Sequence, residues 1–234
     1  MKMFAFPHSG GFGYQYNFFR NYDYQNISEV YTYDYPRHLR KNDSEPIEKT
    51  FSGRVDNAVS KLLEYDIESG EYVLFGHSLG ALVAYEVGIR LQRDYKLPPA
   101  AVVMSSQNPP VCFNEVKSWL KDMDIDSTLT KLGGMNADIT NEREAMKFYK
   151  RLLYDDLAII KTYEPTIPSK DEMLRNMLIF YADSDPVLDT SLWSQWKRCA
   201  LNCKTFLYRG NHFYIYSNAE SVMKQIDENI RLER

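Results

Sequence analysis

The sequence has few cysteines, no long apolar run and no excess of basic residues. Only Cys112, Cys199 and Cys203 occur among 234 residues, and this small, odd number predicts reduced thiols rather than a disulfide framework. No run of about 18 apolar residues is present, so we expect no transmembrane helix and no membrane association. The net charge of −4 lacks the basic excess that nucleic-acid binding requires.

Signals for targeting, metal binding and nucleotide binding are missing as well. The N-terminal segment is interrupted by Pro7 too early for a signal peptide, so we expect a cytoplasmic protein. There is no His-Glu-x-x-His, no paired-cysteine spacing and no Walker loop, and we therefore expect neither a metal ion nor another cofactor. The loop Gly10-Gly11-Phe12-Gly13 resembles part of a dinucleotide-binding fingerprint, but Tyr16 stands where a third glycine is needed.

Short apolar segments alternate with amphipathic ones along the chain, at a length typical of one α/β domain. Strands are predicted at Lys2–Phe6, Val30–Tyr35, Tyr72–Phe75, Ala101–Met104, Met177–Tyr181 and Lys204–Leu207. Helices are predicted at Ile47–Tyr65, from Ala81 to before Pro98, at Leu192–Leu201 and at Ala219–Arg231, with a polar loop at Arg37–Pro46. This order predicts a single domain, residues 1–234, with a mostly parallel sheet and helices on both faces.

Residues 109–168 interrupt the alternation with helical patterns alone. Apolar residues from Phe113 to Met123 and from Ala145 to Tyr163 recur at helical spacing, and Pro165 ends the second stretch. We interpret this insertion as a helical lid that covers a substrate and excludes water. The alternative is a set of additional core helices without that role.

A possible nucleophile follows the third predicted strand directly. The segment Gly76-His77-Ser78-Leu79-Gly80 leads from an apolar strand into a helix without a spacer, which is the context of a nucleophile elbow. Ser78 would occupy the sharp turn, and the two glycines would allow the strand and helix to approach closely. The alternative is an ordinary strand-to-helix turn that happens to contain a serine.

A serine nucleophile needs a base, and the base needs an orienting group. Of four histidines, only His212 follows the last predicted strand, which fits the chain order serine, acid, histidine of α/β-hydrolases. Asp185 and Asp183 both follow the Met177–Tyr181 strand. We favour Asp185, which lies deeper in the loop and precedes Pro186. The competing interpretations are a turn or cap carboxylate for the aspartate and a surface-loop histidine.

Backbone amides that stabilise an oxyanion are expected at two places. One is the amide after the nucleophile, on Leu79, and the other lies in the loop after an early strand. The Gly-rich loop after Phe6 offers the amide of Ser9, with Gly10 and Gly11 allowing close approach of a substrate.

Several motifs in order along the chain resemble the type II thioesterases of nonribosomal peptide and polyketide biosynthesis, members of the α/β-hydrolase superfamily. The matching segments are Phe6-Pro7-His8-Ser9-Gly10-Gly11, Gly76 to Glu86, Lys131-Leu132-Gly133-Gly134, Asp155-Asp156, Tyr163-Glu164-Pro165, Asp183 to Val187 and Gly210 to Tyr214. The resemblance implies the triad Ser78, Asp185 and His212, with oxyanion amides on Leu79 and Ser9.

The same resemblance implies a substrate and a role. Type II thioesterases hydrolyse acyl thioesters on the 4'-phosphopantetheine arm of acyl or peptidyl carrier proteins, clearing stalled groups during antibiotic biosynthesis. We therefore expect a monomeric thioester hydrolase that also accepts small acyl thioesters. Two departures, Pro36-Arg37-His38 after the second strand and Tyr181-Ala182 before the acid, concern loop shape. A carboxylesterase or lipase, an acyltransferase and a binding protein on a hydrolase scaffold remain alternatives.

Overall fold

The computed structural model describes residues 1–39, 48–116 and 143–230. Within these ranges the strands are β1 (Lys2–Phe6), β2 (Glu29–Thr32), β3 (Tyr72–His77), β4 (Ala101–Ser105), β5 (Leu174–Ala182) and β6 (Ala200–Tyr208). The α-helices are α1 (Pro36–Leu39), α2 (Phe51–Leu63), α3 (Leu79–Tyr95), α4 (Phe113–Val116), α5 (Arg143–Ile160), α6 (Tyr214–Ser217) and α7 (Ala219–Asn229). None of the described helices is both long enough and apolar enough to cross a lipid bilayer.

The strands form one sheet in the order β2-β1-β3-β4-β5-β6, and each neighbouring pair is parallel. The central strand β3 is buried along its whole length, as its continuous apolar sequence predicts for a strand covered on both faces. Its side chains alternate between two cores: Leu74 packs with residues of α2 and α3, whereas Phe75 packs with residues of α7. The predicted parallel sheet between helical layers is confirmed.

Three predictions of local structure need correction. The helix predicted at Leu192–Leu201 is instead a 3-10 helix, Thr190–Arg198, and β6 already begins at Ala200. Most side chains of β6 are exposed or half-buried, and polar residues interrupt its first half, from Asn202 to Thr205. Parallel pairing with β5 determines where this strand begins. The second strand ends at Thr32. The predicted polar loop begins as helix α1, because Pro36 suits the first turn of a helix.

Helix α5 belongs to the predicted insertion and packs into the core. The structure describes residues 109–116 and 143–168 of that insertion, whereas Lys131–Gly134 lies outside the described residues. The ring of Tyr149 on α5 lies against the Gly-rich loop, since a Cβ on Gly10 would lie 2.9 Å from it. The buried residues of α5 include Tyr149, Leu152, Leu153, Leu157, Ile159 and Ile160. This helix therefore covers the loop that follows β1.

A buried cluster of charged and polar groups ties α5 to α1, α2 and the Gly-rich loop. Arg54 Nη1 lies 2.8 Å from Asp156 Oδ1, and Arg54 Nε donates to Glu48 Oε2 at 2.9 Å. His38 Nε2 lies 3.1 Å from Asp156 Oδ2, and the Gly10 amide donates to that oxygen at 2.6 Å. The side chains of His38, Arg54 and Asp156 are fully buried.

The carboxyl group of Asp156 should make the free energy of unfolding depend on pH in the acidic range. Burial alone would raise its pKa, but Arg54, His38 and the Gly10 amide outweigh burial and lower the pKa from 3.8 to about 2. A depressed pKa stabilises the folded state above about pH 5, and the stabilisation is lost as the pH falls towards 2. We expect the free energy of unfolding to fall by about 2 kcal/mol across this range through Asp156.

Urea unfolding at pH 7, 5 and 3 measures this dependence. The variant Asp156→Asn should be less stable at pH 7, because it leaves Arg54 with one carboxylate fewer. Its stability should also decline less between pH 5 and pH 3 than that of the wild type. Parallel curves for the two proteins would contradict the assignment.

Close backbone contact at the Ser78 turn generates a second prediction about stability. A Cβ on Gly80 would lie 2.1 Å from the carbonyl oxygen of Phe6, and one on Gly76 would lie 2.0 Å from that of Gly80. Because backbone must shift, Gly80→Ala should lower the free energy of unfolding by about 3 kcal/mol or more. Gly70 has φ +76° but open space around it, so Gly70→Ala should cost only about 1–2 kcal/mol. Equal losses in urea unfolding would show that contact at Gly80 is unimportant.

Candidate active site

Ser78 occupies a strained turn between β3 and α3. Its backbone has φ +56° and ψ −117°, a conformation that non-glycine residues adopt at an energetic cost and that clusters at functional sites. Its amide donates to the Ser105 carbonyl at 2.8 Å, and its carbonyl accepts from the Ala81 amide at 3.0 Å. The neighbouring parallel strand and the first turn of α3 therefore hold the serine in this conformation.

His212 and Asp185 form a buried pair on the two loops that follow β6 and β5. The Nδ1 atom of His212 lies 2.9 Å from Oδ2 and 3.0 Å from Oδ1 of Asp185. The Val187 amide donates to Asp185 Oδ1 at 3.0 Å, which fixes the carboxylate. Asp183 is exposed instead and accepts from the Gly210 amide at 3.1 Å. The structure therefore brings Asp185, and not Asp183, to the histidine.

Two contacts place His212 beside the turn that carries Ser78. The hydroxyl of Ser106, which follows the Ser105 carbonyl bound by Ser78, donates to the His212 carbonyl at 3.1 Å. The ring of His77 lies 5.2 Å from that of His212, measured between centroids. The strand ends that carry the three residues predicted from the sequence thus lie together at the carboxyl edge of the sheet.

The environment of Asp185 favours its ionised form. Burial would raise its pKa, but His212, the Val187 amide and the Ser106 hydroxyl together hold the pKa below its usual value. A carboxylate only accepts hydrogen bonds, so Nδ1 of His212 carries a proton and donates it. The other ring nitrogen, Nε2, is then available as a proton acceptor.

Two further histidines surround this pair and stay neutral. Burial, with a smaller effect of His212, lowers the pKa of His8 to about 3. Burial and the same neighbour lower the pKa of His77 well below its usual value. Their Nδ1 atoms lie 2.7 Å from the Tyr16 hydroxyl and 2.8 Å from the Ser105 hydroxyl, respectively. Neither adds a positive charge near His212 at neutral pH.

Within the described residues, the backbone amides of the Gly-rich loop have acceptors at every position but one. Acceptors are present for the other amides between residues 8 and 13: His8 to Tyr16 Oη, Gly10 to Asp156 Oδ2, Gly11 to the His8 carbonyl, Phe12 to Gln15 Oε1 and Gly13 to Asp34 Oδ1. Among the described residues, none accepts from the amide of Ser9. Ser9 is therefore the available donor in this loop, as its predicted role requires.

The Leu79 amide is a second donor at the same edge. Leu79 is the first residue of α3, and the first four amides of a helix have no acceptor within it. The contact of Gly80 with the Phe6 carbonyl holds the start of α3 against the strand that leads into the Ser9 loop. The positive end of the helix dipole also favours a negative charge here.

Sequence reasoning missed several residues that support the site. Ser106 carries no sequence signal for a role, yet its hydroxyl contacts the Asp185–His212 pair. His38 falls within the predicted polar loop, but it is buried on α1 against Asp156. One signal was available: Arg54 lies between Phe51 and Val55 on the apolar face of α2, where a charged residue needs a buried partner.

A metal site does not emerge in the described part of the chain. Within residues 1–39, 48–116 and 143–230, no three histidine, cysteine, aspartate or glutamate side chains are arranged as metal ligands. Cys112, Cys199 and Cys203 are free thiols there, as predicted.

Comparison with known proteins gives consistent matches over nearly the full chain. The family model for the thioesterase domain matches residues 1–230. The medium-chain S-acyl fatty acid synthase thioesterase of Homo sapiens is 25% identical over 226 residues, which cover 93% of this chain and 82% of that protein.

Solved structures share the fold at lower sequence identity. ClbQ, from the colibactin NRPS/PKS pathway, has a TM-score of 0.83 and 21% identity, covering 98% of this chain and 96% of its own. The RedJ thioesterase, from the prodiginine pathway of Streptomyces coelicolor, has a TM-score of 0.82 and 21% identity, covering 97% and 89%. Since one family model spans residues 1–230, with every residue of the site within them, the chain belongs to the thioesterase family, on the predicted α/β-hydrolase fold.

Proposed function

We propose that this thioesterase hydrolyses acyl groups from the phosphopantetheine arm of carrier proteins through an acyl-Ser78 intermediate. The observation that supports this chemistry best is the buried His212–Asp185 pair beside a strained serine. The carrier-bound substrate is supported by similar structures from NRPS/PKS pathways, namely ClbQ of the colibactin pathway and the type II thioesterase YbtT of the yersiniabactin pathway.

Attack begins with proton transfer to His212. A serine hydroxyl is a weak nucleophile at neutral pH and requires an adjacent base. Nε2 of His212 takes the Ser78 proton while Oγ forms a bond to the thioester carbonyl carbon. Asp185 stabilises the imidazolium and keeps the ring in the tautomer that exposes Nε2. Neutral His8 and His77 offer the new cation no repulsion.

Collapse of the tetrahedral intermediate releases the thiol. The carbonyl oxygen carries the negative charge, and the amides of Ser9 and Leu79 donate to it, usually the largest electrostatic contribution in acyl transfer. The carbon–sulfur bond breaks as His212 returns its proton to the departing sulfur. Water, deprotonated by the same histidine, then attacks the acyl-serine. His212 returns that proton to Ser78 Oγ as the ester bond breaks and the carboxylic acid leaves. This cycle uses no cofactor beyond the arm of the substrate.

The proposed role is housekeeping, the removal of stalled acyl groups by a monomeric cytoplasmic protein. Residues 109–168 act as a lid in this proposal. Support comes from α5, which packs directly on the Gly-rich loop through Tyr149. Burial of the same helix in the core also fits a purely structural role. The lid role requires, in addition, that the insertion exclude water from the substrate.

Substitution of the acid provides the sharpest test of the triad. We expect Asp185→Asn to lower kcat by about 10⁴-fold, because the amide no longer holds the reactive tautomer of His212. The matched control is Asp183→Asn, two residues away and exposed, which should leave kcat unchanged. Ser78→Ala should lose turnover and the acyl-enzyme adduct seen by mass spectrometry. Near-normal turnover of the Ser78 variant would refute the mechanism.

Matched substrates distinguish a thioesterase from the alternative enzyme classes. The same acyl group is offered as a carrier-bound thioester, as a small thioester and as an oxygen ester, and kcat/KM is measured for each. We expect the highest value for the carrier-bound thioester, since carrier and arm add binding contacts away from the reacting carbon. Preference for the ester without carrier activity would indicate a carboxylesterase or lipase. Recovery of the acyl group on an acceptor other than water would indicate an acyltransferase.

A further inference from the structure

Asp156 has no step in the proposed reaction, yet it contacts the loop that carries the Ser9 amide. It lies on α5, and its Oδ2 accepts the Gly10 amide at 2.6 Å across 146 positions of sequence. The same carboxylate contacts His38 and Arg54, and all three side chains are fully buried. A buried ion pair is weak evidence of net stabilisation. The contact of the Asp156 carboxylate with the loop indicates that it positions the loop instead.

Hydrogen bonds hold the peptide groups on both sides of Ser9. The carbonyl of the His8–Ser9 peptide accepts the Gly11 amide at 2.9 Å, inside the turn. In a trans peptide the N–H points opposite to the C=O, so the Ser9 amide points away from the interior of that turn. The next peptide, Ser9–Gly10, is held through its N–H by Asp156. The orientation of the Ser9 donor therefore depends on these two contacts.

His38 adds a second tether from the same cluster. Its Nδ1 donates to the Gly11 carbonyl at 2.9 Å, while its Nε2 lies 3.1 Å from Asp156 Oδ2. Asp156 thus restrains the loop twice, directly at Gly10 and through His38 at Gly11. Gly10 has φ +71°, a conformation that glycine adopts without strain. Because glycine also adopts many other conformations, contacts with neighbouring residues must hold the loop in this one.

We infer that Asp156 is a positioning residue for the oxyanion hole: by holding Gly10 and His38 it fixes the turn that presents the Ser9 amide. The inference rests on the proposed function, because it assigns the Ser9 amide to the oxyanion. It also connects the rate of the reaction to α5, the helix in the second half of the insertion.

Two double variants separate this role from simple loss of charge. Arg54→Met with Asp156→Asn removes the ion pair but keeps an oxygen that can accept the Gly10 amide. Arg54→Met with Asp156→Leu removes the ion pair and the acceptor, at similar side-chain volume. We expect the Leu variant to have a kcat about 10²-fold below that of the Asn variant. KM should be similar in both, because the oxyanion forms only in the transition state.

A buried carboxylate elsewhere controls for general destabilisation. Glu86 accepts from the hydroxyls of Tyr163, at 2.7 Å, and Thr166, at 2.6 Å, and contacts neither the Gly-rich loop nor Asp156 among the described residues. Glu86→Gln should lower the urea midpoint without lowering kcat. Equal kcat in the two double variants, or an equal loss in the Glu86 variant, would overturn the positioning role.

The assay keeps failure of this inference distinct from failure of the proposed function. All variants are measured on a small acyl thioester as well as on an acyl carrier protein. If wild type cleaves only the small thioester, the carrier assignment fails while the comparison of variants still stands. If Ser78→Ala matches wild type on both substrates, the proposed reaction itself fails, and the positioning role with it.

A single substitution provides a result even if the Leu variant does not fold. His38→Leu removes the donor to the Gly11 carbonyl without placing an apolar group against Gly10. It should lower kcat by about tenfold with KM unchanged, a smaller effect because the Gly10 contact remains. An unchanged kcat in that variant would overturn the inference.

Discussion

The close backbone contact between Gly80 and Phe6 is the constraint on which the site depends. A side chain at Gly80 would lie 2.1 Å from the Phe6 carbonyl oxygen, so only glycine lets α3 begin this close to β1. The contact brings the end of β1 against the first turn of α3, which begins at Leu79. The two amides proposed to bind the oxyanion, on Ser9 and Leu79, belong to the segments that this contact joins. The proposed chemistry therefore depends on the packing of β1 against α3.

Burial of polar groups serves two different purposes around this edge. Desolvation keeps His8 and His77 neutral, so in the proposed reaction His212 is the base that takes the proton of Ser78. In Asp156 the outcome is opposite, because Arg54 and His38 outweigh burial and the carboxylate stays ionised. The difference lies in partners rather than in depth, since each of these groups is almost completely removed from water.

The sequence could predict the elements whose signal is local, but not contacts between distant segments. Ser78 and Asp185 follow strands whose sequences are apolar runs, and His212 follows the short strand predicted at Lys204–Leu207. Parallel strands bring their carboxyl ends to one edge. The contact of Ser106 with the Asp185–His212 pair depends on the conformations of neighbouring loops. The spacing of apolar residues in the sequence does not predict these conformations. The ion pair of Arg54 with Asp156 joins residues about a hundred positions apart. The sequence predicts β6 only at Lys204–Leu207, because the exposed first half of this edge strand lacks an apolar pattern.

The connection through Asp156 changes how the insertion should be understood. A helix that only covered a substrate could vary in sequence with effects confined to binding and specificity. Here α5 also supplies an acceptor to Gly10, next to the residue whose amide faces the oxyanion in the proposed reaction. In the proposed function, a shift of this helix would move the lid and the hydrogen bond to Gly10 together. The cover over the substrate and the orientation of the Ser9 amide would then change together, because both depend on α5.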